Sequence, residues 1–317
     1  MTLQQLRYLV ALVEYGSINA AAKNLYASQS NFSTAVKELE AEFGIRIFNR
    51  NNRGVTLTNE GAELLAYARQ VVEQADMLEN RYRKNDTSHA RLAVSTQHYA
   101  FSVQAFIKSA NECANEEYEF ILRETATASI IEDVKTFRSD IGVLFTDSYN
   151  RRVLEKAFED ATAAFYPLFE ARVHVFLSEQ HPLANKEILS IEDLKPYPRY
   201  AFEQGPQSSF YYAEESFAYL PHARTIRMTD RGTPTNLLTS HDGYTLSTGV
   251  LSPEMHSGIA SIPLDSDEKM RIGYLIRSDR KPSNILLSYI ENLKSIVRQN
   301  PNVEEYLGDQ PAGGPTA

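Results

Sequence analysis

The first sixty residues carry the most restrictive pattern in the chain: three short helical periods, the last two opened by a serine, followed at once by a hairpin. Leu3, Leu6, Leu9, Val10 and Val13 recur at three- and four-residue spacing and form one apolar stripe. Gly16 ends that helix. Ser17 can cap the next, whose Ala20, Ala21, Ala22 and Leu25 let two helices cross closely. Ser28 can cap a third helix running to about Phe43, with Phe32, Val36 and Leu39 facing inward. Its other side holds Gln29, Ser30, Ser33, Thr34 and Lys37, which are short or polar and well supplied with hydrogen-bonding groups. This is a helix-turn-helix, in which the second helix of the pair enters the major groove of DNA.

Gly44 breaks the third helix. Ile45, Ile47 and Phe48, then Val55-Thr56-Leu57, read as strands around a turn at Asn51–Gly54. A hairpin directly after a recognition helix is a wing, so residues 1–58 are expected to form a winged helix-turn-helix. The wing tip, Arg50, Asn51, Asn52 and Arg53, can reach phosphates or the minor groove. Thr58 can cap a long helix from about Asn59 to Lys84. Leu64, Leu65, Ala68, Val71, Val72, Ala75 and Leu78 give it a broad apolar face. Such a stripe on a helix tethered to a small domain calls for a partner helix, so residues 59–87 are a linker and dimerisation helix with a hinge.

The net charge of −9 is unevenly spread. Up to Lys84 there are 10 Lys and Arg against 9 Asp and Glu; the rest carries 22 against 32. DNA binding therefore rests on placed residues rather than on a general positive field. Beyond the hinge, strand-like runs alternate with helical ones. The strands read as Leu92–Ser95, Tyr118–Leu122, Asp140–Phe145, Val173–Leu177, Tyr200–Phe202, Thr225–Met228, Tyr244–Ser247 and Ile272–Ile276. Helical patterns include Val103–Asn111, Ser129–Phe137 and Ser283–Arg298. This alternation predicts α/β layers with largely parallel sheets, and an α+β multidomain protein as a whole. Residues 301–317, rich in Gly and Pro from Gly308 onward, read as a disordered tail.

Within Leu6–Gly61 the order of Ser17, the alanine run, Ser28-Gln29-Ser30, Ser33, Leu39-Glu40, Phe48, Arg50 and Leu57-Thr58 closely resembles the LysR-type transcriptional regulators. More weakly, the resemblance extends to about residue 300 through Asp140-Ile141-Gly142-Val143, His181-Pro182-Leu183 and the run Gly243–Gly249. It implies that Gln29, Ser30, Ser33 and Thr34 face base edges or nearby phosphates and that Arg53 approaches the minor groove. Ser28, Lys37 and Arg50 complete the expected DNA-contacting set. Thr34 and Ala35 depart from the family, which often has longer polar or basic side chains there, leaving fewer long donors in the groove. The resemblance also implies a two-lobed, periplasmic-binding-protein-like effector domain over 88–300. Lobe one would span about 91–164 and 269–300, and lobe two about 165–268. The expected partners are double-stranded DNA, a small-molecule effector, RNA polymerase, and further copies of the chain as a homodimer or a homotetramer of two dimers.

Ligands in open α/β sheets sit at the carboxyl ends of strands, where helix N-termini present free N–H groups. Ser95, Thr96 and Gln97 follow one strand, Thr125, Ala126 and Thr127 another, and both clusters open helices. Lobe two can add Phe202, Gln204, Ser247 and Thr248. Hydroxyls at helix N-termini suit an anionic effector such as a carboxylate or phosphate; Ser95, Thr125 and Thr127 equally fit plain helix caps. The aromatic run Pro206–Tyr212 fits either a lid on the cleft or packing in a lobe or dimer face. The rival reading is a DNA-organising or constitutive regulator whose cleft is filled by side chains such as Tyr211 or Tyr244.

Other classes find little support. The seven histidines are scattered, there is no Cys pair, and His-Glu-x-x-His spacing is missing, so no metal site is expected. No glycine-rich phosphate loop or Gly-x-Ser-x-Gly motif points to an enzyme or a cofactor. Cys113, the single cysteine, lies in a helical pattern and reads as a small buried hydrophobe. No apolar run approaches the ~20 residues of a membrane span and the N-terminus has no cleavage-site pattern, so the cytoplasm is the expected location.

Overall fold

The computed structural model describes residues 1–51, 54–83, 89–115, 117–205, 209–252 and 256–308. The chain divides into two compact units, Met1–Thr87 and Ser88–Ala317.

In the first unit, α1 (Leu3–Tyr15) opens with a capping box: the Gln5 N–H donates to Thr2 Oγ1 at 3.2 Å, and the Thr2 N–H to Gln5 Oε1 at 2.7 Å. α2 (Ile18–Asn24) is capped by Ser17, which accepts from the Ala20 N–H, and α3 (Gln29–Phe43) by Ser28. Ala21 and Ala22 are buried against Phe32, on whose ring Tyr8 stacks at 4.1 Å. β1 (Phe48–Asn51) and β2 (Gly54–Leu57) pair antiparallel as the wing. One carboxyl fastens the wing base to α3: Glu40 Oε1 accepts from the N–H of Ile47 at 2.8 Å and of Phe48 at 3.3 Å. α4 (Asn59–Arg83) starts where Thr58 Oγ1 accepts from the Gly61 N–H at 2.9 Å. A Cβ at Gly61 would lie 2.2 Å from the Ile47 carbonyl oxygen, so only glycine lets α4 pass this close to the wing. α4 buries Leu65 and Ala68 against α1, and Arg7 ties the two helices through Asp76 at 2.6 Å and Glu79 at 3.0 Å.

The second unit begins with β3 (His89–Thr96), α5 (Ala100–Asn111), β4 (Glu117–Glu124), α6 (Thr127–Lys135), β5 (Ile141–Thr146), α7 (Arg151–Asp160) and β6 (Ala163–Arg172). A second lobe follows: β7 (His174–Ser178), α8 (Ile191–Leu194), β8 (Arg199–Phe202), β9 (Thr225–Met228), α9 (Gly232–Ser240), β10 (Thr245–Ser247) and β11 (Ile259–Pro263). The chain then returns through β12 (Lys269–Arg277), α10 (Asn284–Arg298) and β13 (Glu305–Tyr306). The first lobe's sheet has the order β13-β6-β12-β5-β3-β4. β5 is buried along its whole length, as a strand covered on both faces must be. Ile141, Val143 and Phe145 join the core with Phe101 of α5 and Leu286, Tyr289 and Leu293 of α10. Leu144 meets Ile130 and Val134 of α6 and Leu154 and Phe158 of α7. In the second lobe, β10-β7-β11 form an antiparallel sheet and β8-β9 a parallel pair, linked where the Tyr200 N–H donates to the Tyr244 carbonyl at 2.7 Å.

The fold departs from the sequence-based expectations at four points. The sheets are mixed rather than largely parallel: β12 lies antiparallel to both β5 and β6, because it brings the chain back from the second lobe as β6 leads out to it. β6 pairs with β12 along its full length, so the first sheet takes in residues 163–172 instead of stopping at 164. Residues 301–308, expected in the disordered tail, are packed: Glu305 and Tyr306 pair with Glu170 and Phe169, covering the outer edge of β6, and Leu307 is buried. Residues 309–317 lie outside the described ones. Cys113 is half-buried in the loop after α5 instead of inside a helix.

Candidate functional site

The outer side of α3 is built by periodicity. Phe32, Ala35, Val36 and Leu39 are buried, which turns Gln29, Ser30, Thr34 and Lys37 outward and leaves Ser33 half-buried between the two sides. Ser28 Oγ accepts from the Asn31 N–H at 3.2 Å and shares a 2.8 Å hydrogen bond with Ser30 Oγ, so it sets the start of the helix. Arg50 stands on β1 opposite Val55, at the outer half of the hairpin. Arg53 lies outside the described residues. Sequence reasoning passed over Tyr26, which sits 98% exposed in the turn before α3 with a φ of 51°. An aromatic next to an alanine-rich helix reads as core; only its failure to fit the stripe of α2 or α3 signals otherwise.

In the second unit, the expected effector residues gather where the two lobes face each other, but most are already committed. Ser95 turns away from the cleft: its buried hydroxyl donates to Asp133 Oδ2 at 2.6 Å and meets Ser139 Oγ at 2.8 Å. Thr96 Oγ1 donates to the Gln97 carbonyl at 2.7 Å. Gln97 Oε1 accepts from the Phe145 N–H at 2.9 Å and the Tyr99 hydroxyl at 3.0 Å, while Nε2 donates to Thr127 Oγ1 at 2.7 Å. Thr125 is half-buried and donates its N–H to the Thr96 carbonyl at 3.0 Å. Thr248 Oγ1 is buried and accepts from the Val250 N–H.

At the helix N-terminus expected to be open at α6, the first N–H is taken by a residue of the other lobe. The Thr127 N–H donates to Gln204 Oε1 at 2.9 Å, and Gln204 Nε2 donates to Glu214 Oε1 at 3.0 Å. Glu214 Oε2 accepts from the His98 N–H at 3.2 Å and Nδ1 at 2.8 Å, and the His98 ring lies on Phe202 at 3.7 Å, 3° from parallel. A neutral amide oxygen thus occupies the place assigned to an anion. This chain of bonds latches lobe one to lobe two, and its His98 and Glu214 belong to the wall of a pocket.

Behind the latch is a pocket of about 590 Å³, open mouth included, lined by Phe202 and Ser247 from the expected set. The rest of its wall was not foreseen: Phe176, Leu238, Leu246 and Ile259 on the apolar side, His98, Glu214, Glu215 and Arg231 on the polar one. Neither Tyr211 nor Tyr244 lines it. Tyr211 stacks on Tyr149 at 4.7 Å, and Tyr244 packs in the core. The adjacent carboxyls Glu214-Glu215, inside an aromatic stretch, were the one signal in the sequence that could have been followed.

Acid predominates among the buried charges. Burial pushes the Glu215 carboxyl up to about 7, against the pull of Arg199 and with Glu214 adding to the rise. Burial likewise raises Glu124, despite its ion pair with Arg231, and lowers Arg231. Burial and the Glu214, Glu215 and Asp147 charges hold the Tyr99 hydroxyl well above the usual phenol range. Among the described residues no group of three or more His, Cys, Asp or Glu is arranged to hold a metal ion, and no helix is long and apolar enough to cross a membrane.

Residues 3–62 match the model of the bacterial regulatory helix-turn-helix proteins of the lysR family, and residues 114–297 match the LysR substrate binding domain. The chain is 25% identical over 305 residues to the hydrogen peroxide-inducible genes activator of Haemophilus influenzae, an alignment covering 94% of this chain and 96% of that one. It is 26% identical over 205 residues to the HTH-type transcriptional regulator SoxR of Arthrobacter sp., covering 65% of each. Among solved structures, a C206 mutant of Corynebacterium glutamicum OxyR shares the fold with a TM-score of 0.55 at 19% identity, over 94% of this chain and 93% of that one.

Proposed function

Because the chain belongs to the LysR family of bacterial DNA-binding transcription regulators, we propose that α3 reads a duplex in the major groove through Gln29, Ser30, Ser33 and Thr34. Lys37, Arg50 and Arg53 hold the flanking phosphates or minor groove. A small molecule in the inter-lobe cleft sets the regulatory state by changing how the lobes, and through them the paired DNA-binding domains, are placed. The observation that carries the reading is the division of α3: Phe32, Ala35, Val36 and Leu39 are buried, while Gln29, Ser30, Thr34 and Lys37 are exposed polar groups.

Tyr67, Val71 and Leu78 leave an exposed apolar line on α4, which favours a homodimer, and a tetramer by pairing of dimers. The regulator works in the cytoplasm and acts on transcription through contact with RNA polymerase. The pocket behind the latch favours a small-molecule-responsive regulator over a DNA-organising protein with a filled cleft.

Selection from a random duplex library, followed by fluorescence anisotropy at several salt concentrations, tests the DNA half. An enriched, two-fold-related sequence is expected, with Gln29→Ala and Thr34→Ala relaxing its selection and Arg53→Ala reducing the salt slope. Equal enrichment by protein and variants would remove α3 as the reading element.

A further inference from the structure

Glu214 and Glu215 stand in the wall of the inter-lobe pocket, 6% and 4% exposed. The cations near them are engaged elsewhere. Arg231 is ion-paired with Glu124. Arg199 donates to the carbonyl oxygens of Phe217 at 2.8 Å and Ser216 at 2.9 Å. His98, whose side chain is 5% exposed, holds Glu214 through Nδ1 and lies flat on Phe202. Its Nε2 is buried and, among the described residues, has no hydrogen-bond partner. In the tautomer that places the ring proton on Nδ1, against Glu214, Nε2 is the ring's acceptor. Buried polar atoms without partners are rare and costly, so a ligand that brings donors would complete this wall. Phe202 and Phe176 add aromatic rings, whose faces favour a cation, while Leu238 and Ile259 supply an apolar floor.

We propose that the effector of this cleft is a cation: an organic amine with a compact apolar body, its ammonium group donating to Glu215 and His98 Nε2 in the field of Glu214. This rests on the reading of the cleft as the effector site and reverses the anionic preference drawn from the sequence. A carboxylate entering the same place would meet the Glu214 and Glu215 carboxyls, and the Thr127 N–H at the start of α6 is already taken by Gln204.

Three probes sharing one aryl body separate the alternatives: phenethylamine, phenylacetate and phenethyl alcohol, each titrated against the full chain by calorimetry and thermal unfolding. Phenethylamine is expected to bind and raise the unfolding midpoint, while the acid and the alcohol do not. Glu215→Gln keeps the acceptor for the Phe202 N–H and removes only the charge, and it should weaken amine binding about tenfold. Thr235→Phe, at a half-buried position of the pocket wall, should abolish binding. Preferential binding of phenylacetate, lost in Thr235→Phe, would overturn the cation proposal and leave the cleft standing as the effector site. Amine binding that survives Thr235→Phe would overturn the assignment to the cleft. Stabilisation by none of the three would overturn both.

Discussion

Glu215 shows what a single burial decision does to a protein. Its carboxyl lies under Phe202, faced by Glu214, Arg199 and His98, and burial outweighs the nearby guanidinium. A folded-state value of about 7, above the ordinary 4.5, means that the fold favours the protonated form. The stabilisation is fully present below about pH 4.5 and is lost as pH rises through 7. Glu215→Gln should therefore melt at a higher temperature than the parent at pH 8, with a flatter midpoint profile between pH 5 and 8. Superimposable profiles would mean that Glu215 finds a compensating charge. At Gly61 the constraint is steric instead. An added methyl group meets the Ile47 carbonyl oxygen, and backbone cannot retreat as a side-chain tip can. Gly61→Ala should cost about 2 kcal/mol in urea unfolding, in the range of overpacked sites.

At the scale of elements, both helices that carry the DNA-binding unit are divided by their own periodicity. α3 spends its inner side on the domain core and offers the other outward. α4 is different, since Leu65 and Ala68 fill the core with α1 while Val71 and Leu78 remain 46% and 60% exposed. Apolar side chains in such a line are covered when a second helix packs on them. The double variant Val71→Glu/Leu78→Glu touches no buried position. It is expected to shift sedimentation velocity from dimer towards monomer while keeping the helical circular dichroism of the parent. An unshifted sedimentation coefficient would place the self-association surface elsewhere.

For the effector domain as a whole, the two lobes meet through hydrogen bonds that leave few free valences. Thr127, Gln204, Glu214 and His98 form one continuous path from α6 across to the second lobe and back to the end of β3. Breaking it in the middle strands two buried groups at once, each costing roughly 1–3 kcal/mol. Gln204→Ala should lower the unfolding midpoint and speed amide exchange at Thr127, while core amides of β5 keep their protection. Exchange at Thr127 equal to that of the parent would show that the lobes are held together by other contacts. His98 and Glu214 belong both to this path and to the pocket wall, so a ligand that engages His98 would act on a bond that joins the lobes.

The helix-turn-helix, the wing and the long helix were legible in the order of residues alone. Their signals are local: Ser17 and Ser28 cap helices three residues away, Gly16 and Gly44 end them, and apolar spacing fixes which side is buried. That order also placed most strands of the α/β unit, but not their directions, since the antiparallel insertion of β12 depends on a strand that leaves and a strand that returns 97 positions later, as Glu170 and Arg172 meet Arg271 and Lys269. The chemistry of the cleft comes from contacts between distant segments. Ser95, Thr96, Gln97 and Thr127 are hydrogen-bonding residues at strand ends, as expected, yet whether such a group is free for a ligand depends on what faces it. Gln204 reaches Thr127 across 77 positions, and Glu214 reaches His98 across 116. A donor satisfied from that distance is invisible to any local pattern. So is the burial that raises the Glu215 carboxyl, beside Glu214, inside a pocket that the hydroxyls alone had suggested was made for an anion.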